Sequence, residues 1–202
     1  TQGVSSAASD VYKRQVVLWC CSAWHTHVRH SVKIWGMMSC PTRGNGADAS
    51  GAGLHQGDVD LHYAHTIDMD VTTLYACLWL RSVVFNGEQQ CTEPDLDGRE
   101  LEPTTIIVWA SVDGRPVGTL RVLDDKDHLV IGRVAVDAAY RGLHIGRRMM
   151  DLALEIAAAD GREVALHAQS YLEDWYRDCG FVVTGPHCEE AGIDHVPMAL
   201  RR

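Results

Sequence analysis

A glycine-spaced loop, Arg141-Gly142-Leu143-His144-Ile145-Gly146, runs into a segment whose apolar residues recur at helical spacing: Met149, Leu152, Ala153, Ile156 and Ala157. The first N–H groups of a helix have no intrahelical partner and form a natural anion site. Gly142 and Gly146 let backbone approach a ligand closely. Arg141, Arg147 and Arg148 gather positive charge at the same place. The chemistry this suits is the binding of a pyrophosphate. The spacing is neither a P-loop nor a dinucleotide-binding fingerprint.

Other groups able to do chemistry are more scattered. Tyr176 sits on a short apolar face with Leu172, Trp175 and Cys179, which Gly180 closes. Glu88, His167 and His195 are candidate proton acceptors. His25, His27 and His30 form an H-x-H-x-x-H cluster with no acidic partner nearby, the pattern of a chance cluster rather than a metal centre. The seven cysteines contain no C-x-x-C pair, so neither a disulfide framework nor a zinc signature is expected. No bound metal is expected, and free thiols suit a cytoplasmic setting.

The elements that must position these groups lie in residues 58–202. Residues 61–66 alternate as a strand. Asp70 can cap a helix to about Val84, with Val71, Leu74, Leu78 and Phe85 on one face. Residues 104–110 read as a strand. Asp113-Gly114-Arg115-Pro116 reads as a hairpin turn, and a strand follows to about Leu123. Residues 128–136 form the next strand, then come the loop and helix already described. Residues 163–168 are a strand. Ser170-Tyr171-Leu172-Glu173 has the form of a capping box opening another helix. Residues 181–184 and 195–200 are the last strands. The order is β α β β β α β α β β. It predicts an α+β (mixed α/β) fold: a largely antiparallel sheet of about seven strands with helices on both faces.

Composition limits the partners. The chain has 202 residues, and its charge of −9 is unevenly spread. Residues 1–57 carry five Lys/Arg and two Asp/Glu; residues 58–202 carry thirteen and twenty-five, a balance of −12. An acidic domain is not a nucleic-acid footprint, and no apolar run is long enough to predict a membrane span. Residues 1–57 have neither helical nor strand periodicity and pass into a Gly/Ala/Ser-rich stretch. Residues 5–15 resemble a translated sequencing adapter. Segment 1–57 is therefore expected to be a non-native or disordered lead, and 58–202 the working domain.

The loop and its surroundings resemble the GNAT N-acetyltransferase superfamily. Arg141-x-x-His144-x-Gly146 is similar to that family's Gln/Arg-x-x-Gly-x-Gly/Ala motif, with His144 where glycine is usual. Tyr176-Arg177-Asp178-Cys179-Gly180-Phe181 is similar to its Tyr-x-x-x-Gly-Phe ending. Residues 80–89, Asp97-Gly98, residues 131–136 and Ala168-Gln169 resemble the ElaA-type subgroup in particular, which commonly lacks glycine at the His144 position.

The resemblance implies acetyl-CoA as cosubstrate and an amine, small-molecule or peptide, as acceptor. It implies that Val134, Ala135 and Val136 hold the pantetheine arm through their backbone. Residues 141–146, namely Arg141, Gly142, Leu143, His144, Ile145 and Gly146, would take the pyrophosphate. Gln169 would stand where an amide touches the cofactor arm. Tyr176 matches the family's usual general acid. A phenol with a pKa of about 10 suits protonation of a leaving thiolate. Glu88 ranks first for a substrate-side catalytic role, and the acidic run at 93–102, with Glu189, Glu190 and Asp194, suits a cationic acceptor. Two alternatives stay open: a catalytically weak acyl-CoA-binding sensor, and an acyl-homoserine-lactone-synthase-like enzyme. The sequence leaves a homodimer open.

Overall fold

The computed structural model describes residues 59–201, so the expectations for segment 1–57 lie outside the described residues. Within them the chain runs β1 (Asp60–His65), α1 (Val71–Ser82), β2 (Ile106–Val112), β3 (Arg115–Asp125), β4 (His128–Val136), α2 (Ile145–Asp160), β5 (Glu163–Gln169), α3 (Glu173–Asp178), β6 (Phe181–Val183), β7 (Cys188–Glu190) and β8 (Ile193–Leu200). One sheet holds eight strands in the order β1-β2-β3-β4-β5-β8-β6, with β7 added on β8. Its neighbours are antiparallel except β4 and β5. The strand not anticipated is β7, which has only three residues.

Local rules account for most of these elements. Asp113 and Gly114 both have positive φ, 50° and 75°, the two-residue turn whose twist matches a hairpin. Asp70 accepts a hydrogen bond from the Thr73 N–H at 2.9 Å and so caps α1. Gly161, at φ 81°, ends α2 in the left-handed conformation.

Helices cover both faces of the sheet centre, which is why β3 is buried from Pro116 to Leu123 without alternation. On one face α2 lays down Ile145, Met149, Met150, Ala153 and Ala157. The approach is close at Gly118, where a Cβ would lie 2.9 Å from Ile145 Cγ2 and from Met149 Cε. On the other face Leu80 and Val84 meet Ala135.

The inward face of α1 is not the one its apolar spacing suggests. Val71 is exposed, and Leu74, Leu78 and Phe85 are only half-buried. The buried stripe is Cys77, Leu80, Arg81 and Val84. Arg81 can turn inward because carboxylates wait for it. Its Nε lies 2.9 Å from Asp95 Oδ2 and its Nη1 lies 2.8 Å from Glu100 Oε1. Arg121 adds pairs to Glu100 and Asp97 at 2.5 and 2.7 Å, and Arg133 reaches Asp95 at 3.0 Å. A buried charge is tolerable only when paired in this way. The acidic run therefore serves the interior, and Asp95, Asp97 and Glu100 are not free to attract a cationic substrate.

The capping box at Ser170 does not form. Residues Ser170–Leu172 make a tight turn before α3, and the Ser170 hydroxyl donates to Asp194 at 2.6 Å instead. Glu173 pairs forward with Arg177.

Candidate active site

The site begins with a defect in β4. Arg121 of β3 pairs with Gly132 and Thr119 pairs with Ala135, so Arg133 and Val134 together oppose the single Leu120. Arg133 takes φ 54° at this bulge. Beyond it β4 leaves its other neighbour. β4 and β5 pair only at His128–Val130 against Glu163–Ala165. From there β4 stays with β3 as far as Val136, and β5 stays with β8 as far as Gln169. The facing edges of β4 and β5 are thus splayed. An opened strand edge offers N–H and C=O groups to an extended amide chain.

Two cavities open from the splay. A groove of about 720 Å³ runs along Val134, Ala135 and Val136 to Arg141, Gly142, His144 and Gly146, with Tyr171, Trp175 and Tyr176 opposite. A second cavity of about 530 Å³ reaches Glu93, Arg133, His167, Glu190 and His195. Gln89, Val134, Leu172 and Tyr176 line both. The cavities therefore meet beside the bulge, at the Tyr176 ring.

The loop before α2 divides its duties. Ile145 is 1% exposed and Leu143 packs against the main core, so these two anchor the turn. Gly142 has φ 84° and His144 φ 57°. The second value explains why glycine suits position 144. His144 takes a left-handed conformation that a side chain disfavours, although histidine tolerates it better than most residues. Of the three arginines, Arg141 and Arg147 line the groove. Arg148 instead donates to the Val59 carbonyl at 2.9 Å, and Arg147 is also held by Asp151 at 2.8 Å.

Glu88 lies at the end of Val83–Glu88, a wider helical turn that continues α1. It lines the groove rather than the second cavity. Its Oε2 is 2.5 Å from Arg141 Nη2, and Arg141 Nε also donates to the Val136 carbonyl at 3.1 Å. The structure thus brings Glu88 to the loop before α2 and not to the second cavity.

Gln169 ends β5 and donates to Gln89 Oε1 at 3.0 Å. Gln89 donates to the Tyr171 hydroxyl at 3.4 Å, and Tyr171 donates back to Gln169. This closed ring of three groups ties the end of the α1 extension to β5 beside the meeting point of the cavities.

Tyr176 is 7% exposed. Trp175 and Phe181 meet it edge-on, with centroids 4.8 and 6.1 Å away. Burial pushes its phenol well above the ordinary tyrosine range, so it stays protonated at neutral pH and is a weaker acid than a free phenol. In the second cavity His195 Nδ1 is 2.8 Å from the Ile193 carbonyl. A carbonyl only accepts, so Nδ1 carries a hydrogen, and in the neutral ring Nε2 holds the lone pair. His167 Nδ1 is hydrogen-bonded to Glu190. Burial would raise the Glu190 carboxyl, but that bond and the charges of His167 and His195 outweigh it and hold it low.

Known proteins resemble this chain in sequence and fold. The profile of the acetyltransferase (GNAT) domain matches residues 84–202. The chain is 36% identical over 145 residues to the protein ElaA of Escherichia coli, covering 69% of this chain and 93% of that one. It is similar to the crystal structure of an acyl-CoA N-acyltransferase from Pseudomonas aeruginosa, with 34% identity, a TM-score of 0.68, and coverage of 71% of this chain and 99% of that one. The crystal structure of Escherichia coli ElaA gives 32% identity and a TM-score of 0.67 over 71% of this chain and 99% of that one. The acyl-homoserine-lactone synthase LasI shares the fold, at 16% identity and a TM-score of 0.57.

Proposed function

Since the chain belongs to the GNAT acetyltransferase family, we propose that it moves the acetyl group of acetyl-CoA directly to an amine, with Tyr176 as the proton donor. The observation that carries this reading is that the two cavities share Val134 and Tyr176. A thioester in the groove and an amine in the second cavity would meet at one point. Direct attack then needs no acyl-enzyme.

Each step falls to a named group. The α2 N-terminus and Arg141 would hold the pyrophosphate. The splayed β4 edge at Val134, Ala135 and Val136 would pair with the pantetheine amides, and the Gln169–Gln89–Tyr171 ring would flank that arm. A backbone N–H beside Val134 would donate to the oxyanion of the tetrahedral intermediate. His195 Nε2, the free lone pair of the acceptor cavity, would take the amine proton. Tyr176 would protonate the departing thiolate. Glu88 would pair with Arg141 and compete with the pyrophosphate for its guanidinium, rather than touching the acceptor.

Calorimetric titration of the full chain with acetyl-CoA tests the cofactor half of this reading. A saturable heat is expected. No heat at hundreds of micromolar ligand would end it.

A further inference from the structure

Beside the acceptor cavity, the end of the sheet collects groups that the acyl-transfer reading leaves unused. The strand register puts them on one face. Gln169 of β5 opposes His195 of β8, and His195 opposes Cys188 of β7. Residues directly opposite one another share a face, and so do residues two apart. His167 and Glu190 therefore stand on the same side as Cys188. One ligand atom from each of His167, Cys188 and Glu190 lies within 4.8 Å of the other two. Cys188 Sγ is 3.7 Å from Glu190 Oε1, the oxygen that also meets His167 Nδ1. A tetrahedral zinc ion with Zn–S of about 2.3 Å and Zn–O of about 2.0 Å sets sulfur and oxygen roughly 3.5 Å apart. The observed spacing is close to that of two ligands on one ion.

We propose that His167 Nδ1, Cys188 Sγ and a Glu190 oxygen form a binding site for a divalent cation of the zinc class. Imidazole, thiolate and carboxylate are the donor types such a borderline-soft ion takes, whereas magnesium or calcium would need an all-oxygen set. All three residues are exposed, so the ion has an entry path and a fourth position for water. The proton balance is simple. The Cys188 thiol proton leaves to solvent, and the proton of His167 moves off Nδ1 so that Nε2 carries the ring N–H. No electron moves. His167 and Glu190 also line the second cavity, so the ion would form part of the acceptor wall. The site rests on strand register and side-chain spacing and stands or falls independently of acyl transfer.

Titration of Co²⁺ into the reduced full chain tests it. A saturable thiolate-to-cobalt charge-transfer absorption is expected in the near-ultraviolet, and Zn²⁺ should displace it. Cys188→Ser should remove that equivalent, while His167→Ala and Glu190→Gln should weaken it by about ten-fold or more. A variant with His25, His27 and His30 all changed to alanine should retain it. Cys188→Ser, His167→Ala and Glu190→Gln alter exposed side chains, and melting temperatures near wild type would verify the folding of every variant. Absence of a saturable band, or the same band in Cys188→Ser, would overturn the proposal.

Discussion

Arg141 and Glu88 form an ion pair at the edge of the groove, Nη2 to Oε2 at 2.5 Å, so the arginine proposed to hold the pyrophosphate already has a carboxylate partner. The pair is partly exposed on both sides, and such pairs contribute only about 0.2–1 kcal/mol. A pyrophosphate must compete with Glu88 for the same guanidinium. Glu88→Gln is therefore expected to tighten acetyl-CoA binding by about 1.5- to 5-fold, and more at low salt than at high. Arg141→Ala should weaken it. Calorimetry at two ionic strengths reads both effects. Weaker binding in Glu88→Gln would show that the carboxylate orients Arg141 more than it competes.

The arginine network predicts how stability depends on pH. The bond from Arg121 holds the Asp97 carboxyl well below its ordinary range. Burial would raise Glu100, but its bond and charge contact with Arg81 and the charge of Arg121 pull it below the ordinary range as well. A carboxylate whose folded pKa is depressed contributes its full stability above the unfolded value of about 4, and loses it as pH falls through the lower folded value. Melting temperature should thus fall steeply below about pH 4. Asp97→Asn should flatten that fall while lowering stability at pH 7.

Arg81 itself is fully buried. Removing it by Arg81→Met leaves Glu100 with Arg121 and Asp95 with Arg133 as their remaining partners, at a cost of up to about 3–5 kcal/mol. Urea unfolding monitored by circular dichroism measures this. A cost below about 1 kcal/mol would mean that water reaches the carboxylates.

His144 gives a backbone test. Its φ of 57° is costly for a residue with a Cβ. His144→Gly is expected to raise stability by up to about 1 kcal/mol, whereas His144→Val should lower it by about 1–2 kcal/mol. Comparable losses in both variants would indicate that the imidazole, not the conformation, matters at this position.

Much of this arrangement was readable from local sequence. The hairpin at Asp113-Gly114, the cap at Asp70 and the stop at Gly161 each depend on a few adjacent residues, and the structure shows all three. The loop at Arg141 and the phenol at Tyr176 were visible for the same reason. The inward face of α1 was not, because Arg81 is buried only through partners far along the chain. Hydrophobic spacing gives an arginine no reason to turn inward. The ion pair of Glu88 was hidden likewise, since a carboxylate on a helical extension gives no sign of facing a loop 53 residues on. The His167–Cys188–Glu190 cluster has no sequence signature because its residues come from two strands joined through a third. No spacing rule within one segment records that.

In the proposed reaction one acid, Tyr176, serves the point where the two cavities join. Following CoA thiol release and amine acetylation together tests this role. The full chain and its Tyr176→Phe variant would be assayed with acetyl-CoA and a panel of primary amines and short peptides. At least one amine is predicted to be acetylated in step with thiol release. Tyr176→Phe should lower that turnover by roughly 10²- to 10³-fold while leaving the acetyl-CoA Kd within about two-fold. Because burial raises the phenol, wild-type turnover should not decline through Tyr176 ionisation as pH nears the ordinary tyrosine value of about 10. Saturable acetyl-CoA binding with no amine acetylated, or equal turnover in Tyr176→Phe, would contradict the account.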